Sequence, residues 1–183
     1  MSRKYKFWDQ ESIYFISFSV VNWIDVFTRN VYKDILLDSW RYCQKEKGLD
    51  VYAWVIMTNH VHMIIGSHKN KIEDIVRDMK SYTSTSIRKE LQSNFTESRR
   101  EWMLWMMKKA GKKNSNNSDF QVWQQHNHPI ELHSNKIIDQ KLNYLHNNPV
   151  EAGFVSKPED YLYSSARDYC GEKGLLENLV LIG

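Results

Sequence analysis

Hydrophobic positions in the first third of the chain follow two periods, one typical of strands and one typical of helices. Residues 13–21 are rich in aromatic and β-branched side chains, which predicts a first strand. Residues 31–47 repeat apolar side chains at helical spacing, so we expect a helix that ends at the following glycine. Residues 51–57 and 60–65 are hydrophobic runs on either side of a short polar turn, the pattern of a β-hairpin.

A second helix, a late strand and a third helix complete the predicted fold. Residues 71–91 keep helical spacing in one stripe: Ile72, Ile75, Val76, Met79, Thr83, Ile87 and Leu91. Residues 120–123 predict a short strand that closes the sheet, and residues 135–147 predict a third helix. We expect Asn148 and Pro149 to stop this helix, because proline cannot continue its hydrogen bonds. The order strand, helix, strand, strand, helix opens a ferredoxin-like sandwich, an α+β fold with helices packed on an antiparallel sheet.

A chain of 183 residues fits a single domain, residues 1–183, in which two segments stand out. Residues 94–119 form a basic insertion with two tryptophans and a polar tip, and residues 151–183 form a C-terminal tail marked by turn-forming glycines. The insertion is either a solvated surface helix, as most charged runs are, or a basic arm that contacts phosphates and bases.

Composition narrows the class of protein without identifying a partner. The formal net charge of +3 is mildly basic, so a nucleic-acid partner is allowed but not required. Cys43 and Cys170 are the only cysteines, which excludes a disulfide framework. The sequence shows neither a signal peptide nor an apolar run long enough to span a membrane, and we expect a soluble, cytoplasmic protein.

Two histidines and a later tyrosine–asparagine pair are the candidate chemistry. His60 and His62 lie two apart on a strand, so both imidazoles project from one face and could form half of a metal site; the alternative is a pair of core histidines. Tyr144 and Asn148 lie four apart on a helix, one turn from each other. An amide oxygen suits Mg²⁺ or Mn²⁺, whereas the plainer interpretation makes Tyr144 a packing residue and Asn148 a helix stop.

These motifs resemble those of a known enzyme family. The run Tyr52-Ala-Trp-Val-Ile-Met-Thr-Asn-His-Val-His-Met-Ile-Ile65 resembles the HUH motif (His, hydrophobic, His) of the single-tyrosine transposases that mobilise the smallest bacterial insertion sequences. The segment Tyr144-Leu-His-Asn-Asn-Pro149 and the tail Tyr161-Leu-Tyr-Ser-Ser165 are similar to the REP-associated tyrosine transposases, except that Leu145 stands where isoleucine is usual. The resemblance covers the chain from the first strand to about Tyr169.

The resemblance implies a metal-dependent enzyme that cleaves and rejoins single-stranded DNA beside a hairpin. His60, His62 and Asn148 would be the ligands of Mg²⁺ or Mn²⁺, and Tyr144 would be the nucleophile that forms a 5′-phosphotyrosine link. The rival nucleophile is Tyr82, on the second helix. Candidate contacts to DNA are Arg77, Lys80, Arg99, Arg100, Lys108, Lys109, Lys112 and Lys113.

Two other functions and the oligomeric state stay open at this point. The chain could be a catalytically idle protein that binds a DNA hairpin through the same fold. It could also be an unrelated small hydrolase whose histidine pair binds zinc, with a third ligand from His126, His128, a cysteine or a carboxylate. The resemblance leaves the oligomeric state open: the insertion-sequence enzymes of this type are dimers that lend each other the tyrosine helix, whereas the REP-associated relatives can act as monomers, so a homodimer and a monomer are both possible.

Overall fold

A four-stranded antiparallel sheet in the order β2-β3-β1-β4 organises the fold. The computed structural model describes residues 7–113, 119–125 and 127–182. The strands are β1 (Tyr14–Ser19), β2 (Leu49–Ile56), β3 (His60–Ser67) and β4 (Ile130–Glu131). The helices are α1 (Asn30–Tyr42), α2 (Ile72–Ser93), α3 (Arg100–Lys112), α4 (Asn135–Glu151) and α5 (Ala166–Tyr169). This strand order, with crossovers through α1 and α2, is that of a ferredoxin-like sandwich, and the predicted α+β class is confirmed.

One face of the sheet is covered by α1 and α2, which form the larger core. α2 buries the stripe that its sequence predicts: Ile72, Ile75, Val76, Met79, Thr83, Ile87 and Leu91. After α1 the chain continues as a π-helical turn, Cys43–Lys47, which Gly48 terminates. Gly48 has a φ of 72°, a left-handed conformation that lets its N–H donate to the Cys43 carbonyl and that favours glycine.

The opposite face of the sheet is covered by α4. Leu145 is buried there among apolar side chains of β1, β2 and β3, and the partly buried Ile137, Ile138 and Leu142 pack beside it. α4 therefore lies on the face that α1 and α2 leave uncovered. Within the described ranges, every helix is too short or too polar to cross a membrane.

The fourth strand lies further along the chain than the sequence predicts. Residues 120–123 do not form a strand, because Trp123 makes only an isolated bridge with Val20. Regular pairing with β1 is confined to Ile130–Glu131. Between these points His128 adopts a φ of 43° and Pro129 has no N–H to donate, so the pairing along β1 is interrupted.

Pro149 lies inside α4 and not at its end, so the predicted helix stop is wrong. The helix continues to Glu151 and is followed by the C-cap Ala152 and by Gly153, which has a φ of 74°. The Gly153 N–H donates to the Val150 carbonyl and the Phe154 N–H to the Pro149 carbonyl, both at 2.9 Å, which is a Schellman motif. Because the chain stays helical through Pro149, the preceding asparagine keeps its place one turn beyond Tyr144.

The basic insertion and the tail both pack on the domain. α3 buries Met103, Met107 and Gly111, whereas the predicted polar tip at residues 114–118 lies outside the described residues. The tail runs along the outer edge of β2: the Ile56 N–H donates to the Tyr163 carbonyl and the Ser165 N–H to the Trp54 carbonyl, both at 2.9 Å. The tail thereby covers backbone groups that an edge strand would otherwise expose.

Candidate active site

β3 presents His60 and His62 to the face of the sheet that α4 covers. β3 is an inner strand, and His62 lies opposite Ser17 of β1 and Val55 of β2. Two residues apart on one strand, the imidazoles share a face, and their ring centroids are 4.8 Å apart. His62 is buried, with 6% of its surface exposed, whereas His60 is only partly buried.

α4 places Tyr144 and Asn148 against these histidines. The Tyr144 ring lies edge to face with that of His62, with centroids 5.3 Å apart, and both rings contact Phe15. Tyr144 is 42% exposed, so a large ligand can reach it from solvent. The side chain of Asn148 lies close to the His60 ring and acts to raise the pKa of that imidazole. The structure thus brings together four residues that the sequence places on two separate elements.

The electrostatics of the pair favour neutral imidazoles. Burial lowers the pKa of His62 to about 3, and the nearby His60 and Lys141 act in the same direction. Burial also lowers the pKa of His60, against the opposing effect of the nearby Asn148 side chain. At neutral pH both rings therefore carry a free lone pair, which is the state that binds a cation.

A divalent cation fits this set of donors. The buried Nδ1 atom of His62 has no hydrogen-bond partner in the structure. Leaving such an atom unsatisfied costs about 1–3 kcal/mol, a penalty that coordination or a ligand would remove. Two imidazole nitrogens and the Asn148 amide oxygen form an incomplete ligand set, and the remaining positions are left for water or for substrate oxygens.

The zinc hydrolase alternative finds no third ligand in the described ranges. Within residues 7–113, 119–125 and 127–182, no group of three or more His, Cys, Asp and Glu side chains is placed to hold a metal. Cys43 is buried in the core on the other face of the sheet. His126, one of the predicted third ligands, lies outside the described residues. The geometry therefore favours the ligand set that includes Asn148.

Lys141 is a charged neighbour of the tyrosine that the sequence interpretation missed. Its ammonium lies 5.7 Å from the centroid of the Tyr144 ring and 5.0 Å from that of Phe15. A lysine three residues before a helical tyrosine lies on the same face, so the spacing would have identified it. Lys141 supplies positive charge beside the candidate nucleophile.

Asn59, in the turn of the hairpin, orients His60 and was also missed. The Nδ1 atom of His60 lies 2.8 Å from the Asn59 Oδ1 atom, and the Asn59 amide nitrogen donates to Asp25 at 3.0 Å and to the Trp23 carbonyl at 3.4 Å. If His60 donates from Nδ1 to the amide oxygen, its Nε2 keeps a lone pair for a ligand. Metal-binding histidines are commonly oriented by such a second hydrogen bond.

Tyr82 lies on the other side of the sheet. It belongs to α2, which packs with α1 against the face opposite to α4. Its neighbours there include Tyr42 and Asp78. The sheet therefore separates Tyr82 from both histidines, and Tyr144 remains the candidate nucleophile.

The predicted DNA-contacting residues occupy two kinds of environment. Several are held by internal partners: Arg77 pairs with Asp74 and Asp78, Lys80 donates to the Gln124 carbonyl and Asn127, Arg99 pairs with Glu97, and Arg100 pairs with Glu101. Burial lowers the pKa of Lys80 to about 8, which fits an internal role. The lysines of the α3 region are exposed: Lys108, Lys109, Lys112 and Lys113.

Comparisons with known proteins agree with this fold. The family model described as "Transposase IS200 like" matches residues 11–128. A solved structure of a REP-associated tyrosine transposase bound to a REP hairpin is similar over 93% of this chain and 86% of that one, with a TM-score of 0.63 and 15% identity. A second solved structure, of a putative transposase from Deinococcus radiodurans, is 19% identical over 80% of this chain and 97% of that one. Its TM-score is 0.44. Among curated proteins no match was found.

Proposed function

Because the chain belongs to the family of IS200-like transposases, we propose that it cleaves and rejoins single-stranded DNA beside a hairpin, with Tyr144 as the nucleophile. The observation that carries the proposal is the contact of a half-exposed Tyr144 ring with the buried, neutral His62. The similar solved structure is of a transposase bound to a DNA hairpin, which supports the same class of substrate.

In the proposed reaction Tyr144 exchanges one phosphodiester bond for another. The phenol oxygen attacks the scissile phosphorus and its proton passes to solvent. The bond from phosphorus to the 3′-oxygen breaks, and that oxygen takes up a proton to become a free 3′-hydroxyl. The 5′-phosphotyrosine link keeps the energy of the broken bond, so attack by a second 3′-hydroxyl rejoins the strand without a nucleotide cofactor.

Residues of the site have distinct roles in this scheme. His60, His62 and Asn148 would hold Mg²⁺ or Mn²⁺, which when bound offsets negative charge on the phosphate oxygens. Phe15 packs against both His62 and Tyr144 and holds the two rings in register. Lys141 places positive charge beside Tyr144 and stabilises the negative charge that develops on the phenol oxygen.

A labelled hairpin oligonucleotide with a single-stranded flank, taken from DNA next to the gene, tests the proposal. It is incubated with the protein and Mn²⁺ or Mg²⁺, and the products are separated on a denaturing gel. We expect a covalent protein–DNA band that requires the metal ion, disappears with Tyr144→Phe and persists with the matched variant Tyr82→Phe.

Each other outcome points to a different function. If the parent and Tyr144→Phe both bind the hairpin tightly and neither forms a covalent band, the protein is an idle DNA-binding protein and the proposal is overturned. A band that persists with Tyr144→Phe and disappears with Tyr82→Phe would overturn the assignment of the nucleophile. Cleavage of the oligonucleotide that requires zinc and is unchanged in Tyr144→Phe and in Tyr82→Phe would indicate a hydrolase.

A further inference from the structure

A turn of unusual backbone conformation borders the candidate site. Asn22 has φ and ψ of 55° and 21°, and Trp23 has a φ of 53°, so two consecutive non-glycine residues are left-handed. A bulky side chain rarely adopts this conformation. Such residues persist where the surrounding structure imposes them, and they occur preferentially at functional sites.

The turn that carries Trp23 is connected to the site by hydrogen bonds. The Trp23 N–H donates to the Val20 carbonyl at 3.1 Å, and the Trp23 carbonyl accepts from Asn59 at 3.4 Å. The same Asn59 side chain contacts His60. The backbone of Trp23 and the imidazole of His60 are therefore held by one amide.

The indole of Trp23 is exposed beside His60. Its surface is 59% exposed, and its ring meets the His60 ring edge to face at a centroid distance of 6.2 Å. Its contact with His60 distinguishes Trp23 from exposed aromatic residues elsewhere, because it places a free aromatic face beside the candidate site. The basic helix α3 packs against the same turn, so a nucleic-acid strand lying along α3 would pass close to it.

We propose that Trp23 is a stacking platform for a nucleobase of the single-stranded DNA next to the phosphate that Tyr144 attacks. Stacking on an exposed indole is a common means of binding single strands, because every base has an aromatic face. A base held there would anchor the strand beside His60 and fix the position of the neighbouring phosphate. The location of this base relative to the scissile bond rests on the proposed function; the stacking itself does not.

Binding measurements with abasic oligonucleotides test the platform. Fluorescence anisotropy is recorded in the Tyr144→Phe background, so that no cleavage contributes. Trp23→Asn removes the ring while keeping a residue that tolerates left-handed backbone, Trp23→Phe keeps an aromatic ring, and Tyr42→Ala on α1 is the matched control with 58% exposure. A series of oligonucleotides carries one abasic nucleotide at each successive position of the single-stranded flank of the hairpin.

We expect Trp23→Asn to weaken binding about tenfold, Trp23→Phe to weaken it less, and Tyr42→Ala to leave it unchanged. One abasic position should weaken binding of the parent protein by a similar factor and cause no further loss with Trp23→Asn. Equal affinities of the parent and Trp23→Asn for the DNA would overturn the platform. It would also be overturned if, at every abasic position, the loss of affinity from the missing base and the loss from Trp23→Asn were additive.

The proposal and the proposed function can fail separately. If one abasic position loses its effect with Trp23→Asn (position-specific coupling) in a protein that never forms a covalent band, the platform is retained and the transposase chemistry is wrong. A covalent band of normal yield without any coupling would retain the chemistry and remove the platform. Thermal unfolding of the Trp23→Asn protein, expected at or above the parent's temperature because strain is relieved, shows whether the variant is folded.

Discussion

The buried Nδ1 atom of His62 has no hydrogen-bond partner among the described residues, an arrangement that lowers stability unless a ligand supplies the missing contact. The neighbouring Lys141 adds a positive charge to the same small region. A site that binds a cation and an anionic phosphate accounts for both features. The cation would contact the imidazole nitrogen, and the phosphate would offset the positive charges of the cation and of Lys141. These residues are therefore arranged for a charged ligand and not for packing.

Removing the charge of Lys141 should slow cleavage. Lys141→Met is expected to lower the single-turnover rate of covalent complex formation about fivefold, because a partly screened positive charge near the phenol oxygen lowers the activation free energy by about 1 kcal/mol. Lys141→Arg keeps the charge and should retain most of the rate. Equal rates for the methionine and arginine variants would show that Lys141 acts through packing.

Asn59 should determine how well the site binds metal. Asn59→Ala removes the group that orients His60 and is expected to weaken Mn²⁺ binding about tenfold to a hundredfold. The control is Asn147→Ala, which removes an asparagine of α4 whose exposed side chain donates to the Asn143 carbonyl of the same helix. Calorimetric titration with Mn²⁺ measures both variants. If the two affinities agree, the orienting role of Asn59 is wrong.

At the scale of elements, α4 joins the candidate site to the tail. Its Tyr144 and Asn148 reach the histidines, while His146 on the other side is buried and contacts the Ser165 hydroxyl at 2.9 Å. Ser165 also accepts a hydrogen bond from the Trp54 N–H of β2. The position of the tyrosine helix therefore depends on the tail and on the strand beneath it.

The stability of this junction should depend on pH. Burial lowers the pKa of His146 to about 4, whereas the unfolded chain has a value of about 6.5. As pH falls below about 6.5 the unfolded state binds the proton first, so stability is lost towards pH 4, at up to about 1.4 kcal/mol for each pH unit. Between pH 7 and pH 5 the parent should lose about 2 kcal/mol more than His146→Gln.

Urea unfolding of metal-free protein at the two pH values measures this difference. His60 and His62 also have lowered pKa values, but they are present in both proteins and their effects cancel in the comparison. Equal losses in parent and variant would mean that His146 is protonated in the folded protein.

Replacing exposed lysines of the basic helix α3 tests whether this helix contacts DNA. Its lysines are exposed, whereas Lys80 and Arg99 are held by internal partners. Replacing Lys108 and Lys112 by Gln should weaken binding of single-stranded DNA and make its salt dependence shallower by about 0.7 for each lost phosphate contact. The control replaces Lys45 and Lys173, which are exposed elsewhere. Equal salt slopes for both double variants would remove α3 from the interface.

For the whole molecule, the decisive feature is that one chain supplies every part of the candidate site. α4 packs on the sheet of its own chain through Leu145, and the tail secures it along β2. Exchange of α4 alone would break the buried contact of His146 with Ser165, and exchange of α4 together with the tail would break the hydrogen bonds between Ser165 and Trp54 of the chain's own β2. We therefore expect Tyr144 to act on DNA that is bound by the histidines of the same chain.

Mixing two inactive variants tests this expectation. Tyr144→Phe retains the histidines, and a His60→Ala, His62→Ala double variant retains the tyrosine. If each chain works alone, the mixture should form no covalent complex above the sum of its components. Recovery of up to about a quarter of the parent's activity, the yield expected of randomly mixed dimers, would establish exchange of α4 between chains.

Local patterns in the sequence determined the elements and their faces. The apolar stripe of α2 and the hairpin follow from side-chain periods that belong to the helix and the strand themselves, so both predictions are confirmed. The same argument places His60 and His62 on one face, because a period of two needs no knowledge of distant residues. The fold class and the family motifs could likewise be identified from the chain alone.

Tertiary structure alone decided which of these faces meet. Tyr144 contacts His62 because α4 packs on the side of the sheet opposite to α1 and α2, and no local period records that choice. The fourth strand moved to Ile130–Glu131 because its pairing depends on the free edge of β1. Pro149 stays within α4 since its ring is buried and Gly153 supplies the end of the helix. Contacts between distant residues depend on how the layers pack, which is a property of the whole chain and not of any one segment.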